Sequence, residues 1–202
     1  MHQQSDANVQ EGEDEMNLSG MKFDELGRTY RITPIQQPQR SAAFQGLYLS
    51  RLPLSPPLIL QFDCWNAEGE LILPYEELPF LVCHLSLQTP DGDDAAMIVS
   101  PEGERVSMLY GSLVTTAAEM NDQTGAPGLY FVFPDVSVRY VGRFRLHASI
   151  LRITGGPPLD TCVTEPFEIL SDADYVAPPI TDLTRHFDSQ GVVRFGLPRS
   201  EW

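Results

Sequence analysis

LYFVFPDVSVRYVGRFRLHASILRI, residues 129–153, decides the fold class. It holds two strand patterns joined by a short polar turn. Leu129 to Phe133 is an apolar run with a tyrosine and two phenylalanines, and Pro134 and Asp135 end it. Val136 and Val138 alternate with Ser137 and Arg139. After Gly142, Arg143, Arg145, His147 and Ser149 fall on one side, and Phe144, Leu146, Ala148 and Ile150 on the other. Side chains along a strand alternate with a period of two, so this is a half-buried strand with one apolar and one basic face. Together the two patterns read as a hairpin.

Similar runs flank it. Residues 58–65, LILQFDCW, lie between Pro57 and a turn at Asn66 to Gly69, and residues 71–73 suggest a further short strand. In PFLVCHLSLQT, residues 79–89, Leu81, Cys83, Leu85 and Leu87 alternate with Val82, His84, Ser86 and Gln88. Short strands are expected at 96–99, 106–109 and 162–170, the last interrupted by Pro166, which implies an edge or a bulge. Residues 112–120, SLVTTAAEM, are readable as strand or helix. Tyr30, Ile32 and Ile35 of TYRITPIQ are candidates for the core, and residues 192–197 for a short closing strand. Residues 36–57, with four prolines, read as a long connection. One helix is expected, capped by Thr181, running over 182–190 with Leu183, His186 and Phe187 on one face, and ended by Gly191. About eight short strands separated by turn signals predict an all-β sandwich.

The chain has 202 residues and a formal charge of −15. That length suffices for one domain with a hydrophobic core. Residues 1–26 hold seven acids against Lys22, the only lysine, and few core residues; they are expected to be disordered, with one domain over 27–198. Residues 52–104 carry ten acids and no Lys or Arg. The acidity opposes non-specific binding to nucleic acid or anionic membrane. Three cysteines without close spacing give no disulfide framework, and neither a secretory signal nor a membrane-length apolar run is present. An intracellular protein with reduced thiols is expected.

Catalytic and metal readings fail on spacing. Glu68, Glu70, Glu76 and Glu77 read as solvated turn acids, and Asp91, Asp93 and Asp94 lack the glutamate of a calcium loop. Cys83 and His84 are adjacent on a strand and point to opposite faces. No nucleotide-binding or hydrolase motif occurs, and no cofactor is expected. The arginines remain. Arg143 and Arg145 share a strand face with His147, and Arg139 lies just upstream. They suit an anion-binding surface, or a solvated face balanced by neighbouring acids.

GLYFVFPDVSVRYVGRFRLHASI, residues 128–150, closely resembles the signature of the velvet family of fungal regulators. PFLVCHLSL (79–87), LYGSLVTTAAEMNDQTGAPG (109–128) and TEPFEILSDADYVAPPITDLTRHFDSQG (164–191) resemble further motifs of that family in the same order. IQQPQR (35–40) and PPLILQF (56–62) resemble its Q-Q-P and P-P-P motifs. The resemblance covers about residues 30–197. It implies an immunoglobulin-like β-sandwich similar to the DNA-binding half of Rel-type factors. It also implies homo- or heterodimers with a velvet partner, contact with double-stranded DNA and other nuclear regulators, and action in the nucleus, with shuttling to the cytoplasm, on development, sporulation and secondary metabolism.

In the family, DNA contacts come largely from a basic loop between the Q-Q-P and P-P-P motifs, here residues 36–57. Arg40 and Arg51 are the contacts this implies, assisted by Arg139, Arg143 and Arg145. The loop is thin in charge: GLYLSRLPLSPP keeps only Arg51, and Leu47, Leu49 and Leu52 occupy places where bases occur. These leucines suggest a loop packed on protein. Two readings stay open: a dimeric DNA-binding transcriptional regulator, or an interaction subunit with weak DNA binding that joins a more basic velvet partner.

Overall fold

A computed structural model describes residues 24, 26–46, 49, 51–100 and 102–197. The expectations for Leu47, for nearly all of residues 1–26 and for residue 198 lie outside the described residues. The strands in order are β1 Thr29–Gln36, β2 Arg40–Ala42, β3 Leu58–Trp65, β4 Leu71–Ile72, β5 Leu81–Gln88, β6 Met97–Val99, β7 Arg105–Ser107, β8 Leu109–Tyr110, β9 Val114–Thr115, β10 Ala118–Asn121, β11 Pro127–Phe133, β12 Ser137–Val138, β13 Gly142–Arg152, β14 Asp160–Val163 and β15 Phe167–Leu170. Among the described residues one α-helix, α1 Asp182–Ser189, follows, and a short 3-10 turn lies at Leu78–Phe80.

The strands form an all-β sandwich. One sheet has the order β1-β3-β11-β10, with β4 beside β3; the other runs β2-β15-β13-β5-β9, with β14 beside β13. Two small ribbons, β12–β8 and β6–β7, complete it. The hairpin expected at residues 129–153 is therefore not formed. β11 pairs with β3 and β10, whereas β13 pairs with β5, β14 and β15 in the opposite sheet. The polar segment between them crosses the sandwich. Phe131 and Phe133 thus meet Leu146 and Ile150 from opposite sides of one core.

The two sequence patterns have different physical origins. β13 alternates because one face is core and the other is open: Leu146, Ala148 and Ile150 are fully buried, while Arg143 is exposed. β11 reads as a continuous run because it is covered on both faces. Its outer face, Tyr130 and Val132, joins Ile59 and Met120 under Phe187 and Phe195 in a second apolar cluster. α1 supplies Phe187, whose ring centroid lies 4.8 Å from that of Tyr130. The helix begins where expected. The Thr181 hydroxyl accepts the Thr184 amide at 3.1 Å, and Gly191 takes a positive φ of 69° just past the end. Residues 192–197 form no strand, although Phe195 still packs under the sheet.

Other expectations resolve individually. Residues 112–120 become strands, β9 and most of β10. Residues 36–57 contain β2, which pairs in parallel with β15, so this connection is partly sheet. Ile35 faces solvent while Tyr30 and Ile32 are buried. Pro166 splits the expected final strand into β14 and β15 along one edge of β13. At the break Thr164 maintains the ladder: its amide donates to the Leu146 carbonyl and its hydroxyl accepts the Leu146 amide, both at 2.9 Å.

Asp24, at the end of the acidic segment, is built into the fold. Its carboxylate accepts the Arg28 amide at 2.7 Å and an Arg152 Nη2 proton at 2.6 Å. Arg28 in turn reaches Glu77 at 2.5 Å, and the Tyr30 hydroxyl lies within hydrogen-bond distance of both Asp24 and Glu77. Burial alone would raise the Asp24 carboxyl. The hydrogen bonds from Arg28, Tyr30, Leu26 and Arg152 outweigh it and hold the group below the usual carboxylate range.

Candidate functional site

The register of the second sheet brings together two arginines that lie 103 residues apart. Glu168 of β15 pairs with Arg40 of β2 on one side and with Arg143 of β13 on the other. Residues in direct register share a sheet face, so Arg40, Glu168 and Arg143 form a row on the outer surface. Both arginines line an open groove of about 550 Å³ with Gln37, Gln39, Glu165 and Glu168. Neither arginine enters an ion pair within 4 Å among the described residues, and the Arg40 Nε is buried without a hydrogen-bond partner. The groove wall is pinned, since the Glu165 amide donates to the Gln37 side chain at 2.7 Å. The Arg40 backbone is likewise bridged to Ser55. Tyr175 lies close to Ser55 and Arg40. Burial raises its phenol above the usual range, while a Ser55 hydrogen bond and the Arg40 charge pull the other way.

The other three expected contacts sit elsewhere. Arg145, two residues along β13, donates from Nε to Gln88 at 3.2 Å and leans over Gly92 of the following turn. Arg51, in the loop, approaches Asp135 at 3.4 Å. Arg139 is not on the surface: it is 5% exposed. Its Nε donates to the Ser107 carbonyl, Nη1 to the Gln45 carbonyl, both at 2.9 Å, and Nη2 to the Tyr110 hydroxyl at 3.0 Å. The guanidinium also lies over the rings of Phe44 and Tyr110. Its place in the sequence pattern matches surface arginines, but its work is internal. It ties the loop after β2 to the β7–β8 segment and β12. The turn beneath needs Gly111, because a Cβ there would overlap the Asp135 carbonyl.

Leu49 and Leu52 do not pack into this chain's own core, and Leu47 lies outside the described residues. Leu49 is fully exposed and Leu52 is 41% exposed, whereas Phe44 and Leu54 are buried. The loop is anchored by those two and by backbone bonds from Gln45 to Arg139 and from Leu54 to Val136, and it turns Leu49 and Leu52 outward. Sequence reasoning did not find the partners that decide the arginines' roles, Glu168, Asp135 and Gln88. All three are set by register or by loop packing, which leave no local signal.

Other chemistry does not assemble. Cys83 is fully buried and His84 exposed, on opposite faces of β5 as expected. Among the described residues no group of three His, Cys, Asp or Glu side chains comes together to hold a metal, and no helix is long and apolar enough to cross a membrane.

Comparison with known proteins gives these elements a common context. The family described as Velvet factor matches residues 95–196, which include the groove's Arg143, Glu165 and Glu168. The spore development regulator VOSA of Pyricularia oryzae is 29% identical over 168 residues, covering 81% of this chain and 32% of that protein. The sexual development regulator umv3 of Mycosarcoma maydis is 30% identical over 182 residues, covering 82% of this chain and 44% of that protein. Velvet complex subunit 2 of Gibberella moniliformis is 33% identical over 107 residues, 46% of this chain and 23% of its own length. The chain thus spans less than half the length of these relatives. With half of its residues inside the family's match, and an all-β sandwich built from the same signature segments, the chain belongs to the velvet family.

Proposed function

We propose that this chain is a non-catalytic transcriptional regulator of fungal development, sporulation and secondary metabolism, acting in the nucleus, with shuttling to the cytoplasm, as a dimer with a velvet partner on double-stranded DNA. The observation that carries the DNA assignment is the Arg40–Arg143 groove, where two guanidiniums without ion-pair partners among the described residues share one sheet row. Planar, forked donors of this kind suit phosphate oxygens. The relatives' names support the other parts: two are regulators of spore or sexual development, and one is a velvet complex subunit.

A second reading has its own observation. Leu49 and Leu52 point outward, Arg51 faces an acid and Arg139 is interior, so the described part of this loop presents more apolar than basic surface. That suits an interaction subunit that leaves most DNA contact to a more basic velvet partner.

Titration of labelled duplex DNA at two salt concentrations, with and without such a partner, separates the two. Two phosphate contacts give a log–log salt slope of about −2. In the DNA-binding reading the isolated protein shows this slope, and Arg40→Ala with Arg143→Ala abolishes it. Binding that needs the partner and ignores both substitutions supports the interaction subunit.

A further inference from the structure

β6 is an apolar strand exposed along its whole length. Its residues Met97, Ile98 and Val99 are 47%, 41% and 63% exposed, so both of its faces are open. Among the described residues β6 pairs only with β7. The register fixes which backbone groups remain available. Ser100 donates to Glu104 and Met108 to Ala96, so the hydrogen-bonded positions of this antiparallel ribbon are 96/108, 98/106 and 100/104. In such a ladder the intervening residues turn their N–H and C=O groups away from the partner strand. The amides and carbonyls of Met97 and Val99 therefore form a free edge among the described residues. The opposite edge of the ribbon is occupied at its base, where Arg139 takes the Ser107 carbonyl through its side chain and the Met108 carbonyl through its amide.

Acids dominate the charge around β6 at both ends. Asp91, Asp93 and Asp94 precede it, and Glu102 and Glu104 follow it, all exposed. Arg105 is the single base between residues 91 and 107, and Arg145 leans over Gly92 without forming an ion pair within 4 Å with these acids. An exposed apolar edge invites pairing with any chain, and flanking charges restrict which chains come.

We propose that the free edge of β6 is a docking site for an extended segment of a partner protein, apolar at its centre and basic at both ends, which adds to the β6–β7 ribbon as a third strand. Main-chain bonds to Met97 and Val99 hold the segment, alternate apolar side chains cover the exposed ones, and the two acidic flanks select Lys or Arg at its ends. A second copy of this chain is a poorer occupant, because its own β6 brings the same acidic flanks into contact. The proposal is independent of the DNA reading, whose residues lie in other strands.

The probe is the peptide KRVTVIVKR, titrated into the isotope-labelled full chain and followed by amide NMR and hydrogen exchange. Expected are shifts and at least tenfold slower exchange at the Met97 and Val99 amides, with little change at Ile98, whose amide is already bonded to Val106. Raising salt from 50 to 200 mM should weaken binding several-fold, and the peptide with glutamates at both ends should not bind. Val99→Pro removes one free N–H and should weaken binding at least tenfold. Glu102→Gln with Glu104→Gln leaves the strand intact and should weaken it several-fold, with unchanged spectra for β5 and β13. Three results overturn the proposal: no binding at millimolar peptide in low salt; shifts spread over the acidic surface without protection at Met97 and Val99; or equal affinity for the Val99→Pro protein.

Discussion

Replacing Arg139 by methionine separates an internal role from a DNA-contacting one. The guanidinium makes at least three directional bonds, to Ser107, Gln45 and Tyr110, and is almost fully buried. Hydrogen bonds involving a charged group contribute roughly 1.5 kcal/mol or more each. Methionine fills part of the space but loses the guanidinium over the Phe44 ring and leaves two carbonyls and a hydroxyl without their donor. Three such losses sum to about 4.5 kcal/mol, and water entering near Gln45 recovers part, so a cost of about 3 to 4 kcal/mol is expected. With a urea m-value of roughly 2 kcal/mol/M for a domain of this size, the midpoint falls by about 1.5 to 2 M. Arg139→Lys should recover less than half, since one ammonium cannot span the three acceptors. Amide exchange should quicken at Gln45 and Leu54, whose amides hold the loop to Arg139 and Val136. Urea unfolding followed by tryptophan fluorescence measures the stability. A midpoint within about 0.3 M of the unsubstituted protein, together with lost DNA affinity, would refute the internal assignment.

Three further outcomes follow from the fold. Phe187→Ala empties a fully buried site against Tyr130 and should cost about 3 to 4 kcal/mol, read as a lower thermal midpoint with the sandwich retained. Asp24 is held below its unfolded value, so its contribution to stability is present above the usual carboxylate range and is lost as pH falls through the folded value. Asp24→Asn should therefore lower stability near neutrality and flatten its decline in acid below about pH 4, in urea titrations at a series of pH values. Cys64 is enclosed and burial pushes its thiol up to about 11, so a thiol reagent at pH 8 should label it only at the rate of unfolding, whereas half-buried Cys162, pushed up to about 12, should react slowly in the native state. Fast labelling of Cys64 in the native state would contradict its burial.

The sequence was most legible where local chemistry dictates structure. The alternation read over residues 81–88 is the one the fold uses, since Leu81, Cys83, Leu85 and Leu87 are all buried. Thr181 and Gly191 marked a helix that forms between them. Pairing was less legible. The short turn after Phe133 resembles a hairpin, but a chain crossing between sheets also needs only a few residues. The continuous run in β11 was the better clue, because a strand apolar on both faces needs cover on both. β2 escaped notice for a related reason: three residues between prolines carry no strand signal until β15 lies beside them. The arginines divide along the same line. Arg139 and Arg143 look alike in sequence, yet one is enclosed by Ser107, Gln45 and Tyr110 and the other is open, because crossing segments from distant parts of the chain surround only the first.

The parallel pairing of β2 with β15 has a consequence for how the protein is made. Arg40 waits for Glu168, 128 residues later in synthesis. At roughly 5–20 residues per second, the ribosome leaves that edge of β2 open for roughly 6 to 25 seconds. In the last part of this interval, once β13 has been made, its apolar face also lacks Phe167 and Ile169. A nascent chain at this stage already carries its family signature but cannot close its second sheet. Chaperone capture, or a mutation that stalls translation after β13, would act on this half-built sandwich, and the Arg40–Arg143 groove would come into being only with its last strand.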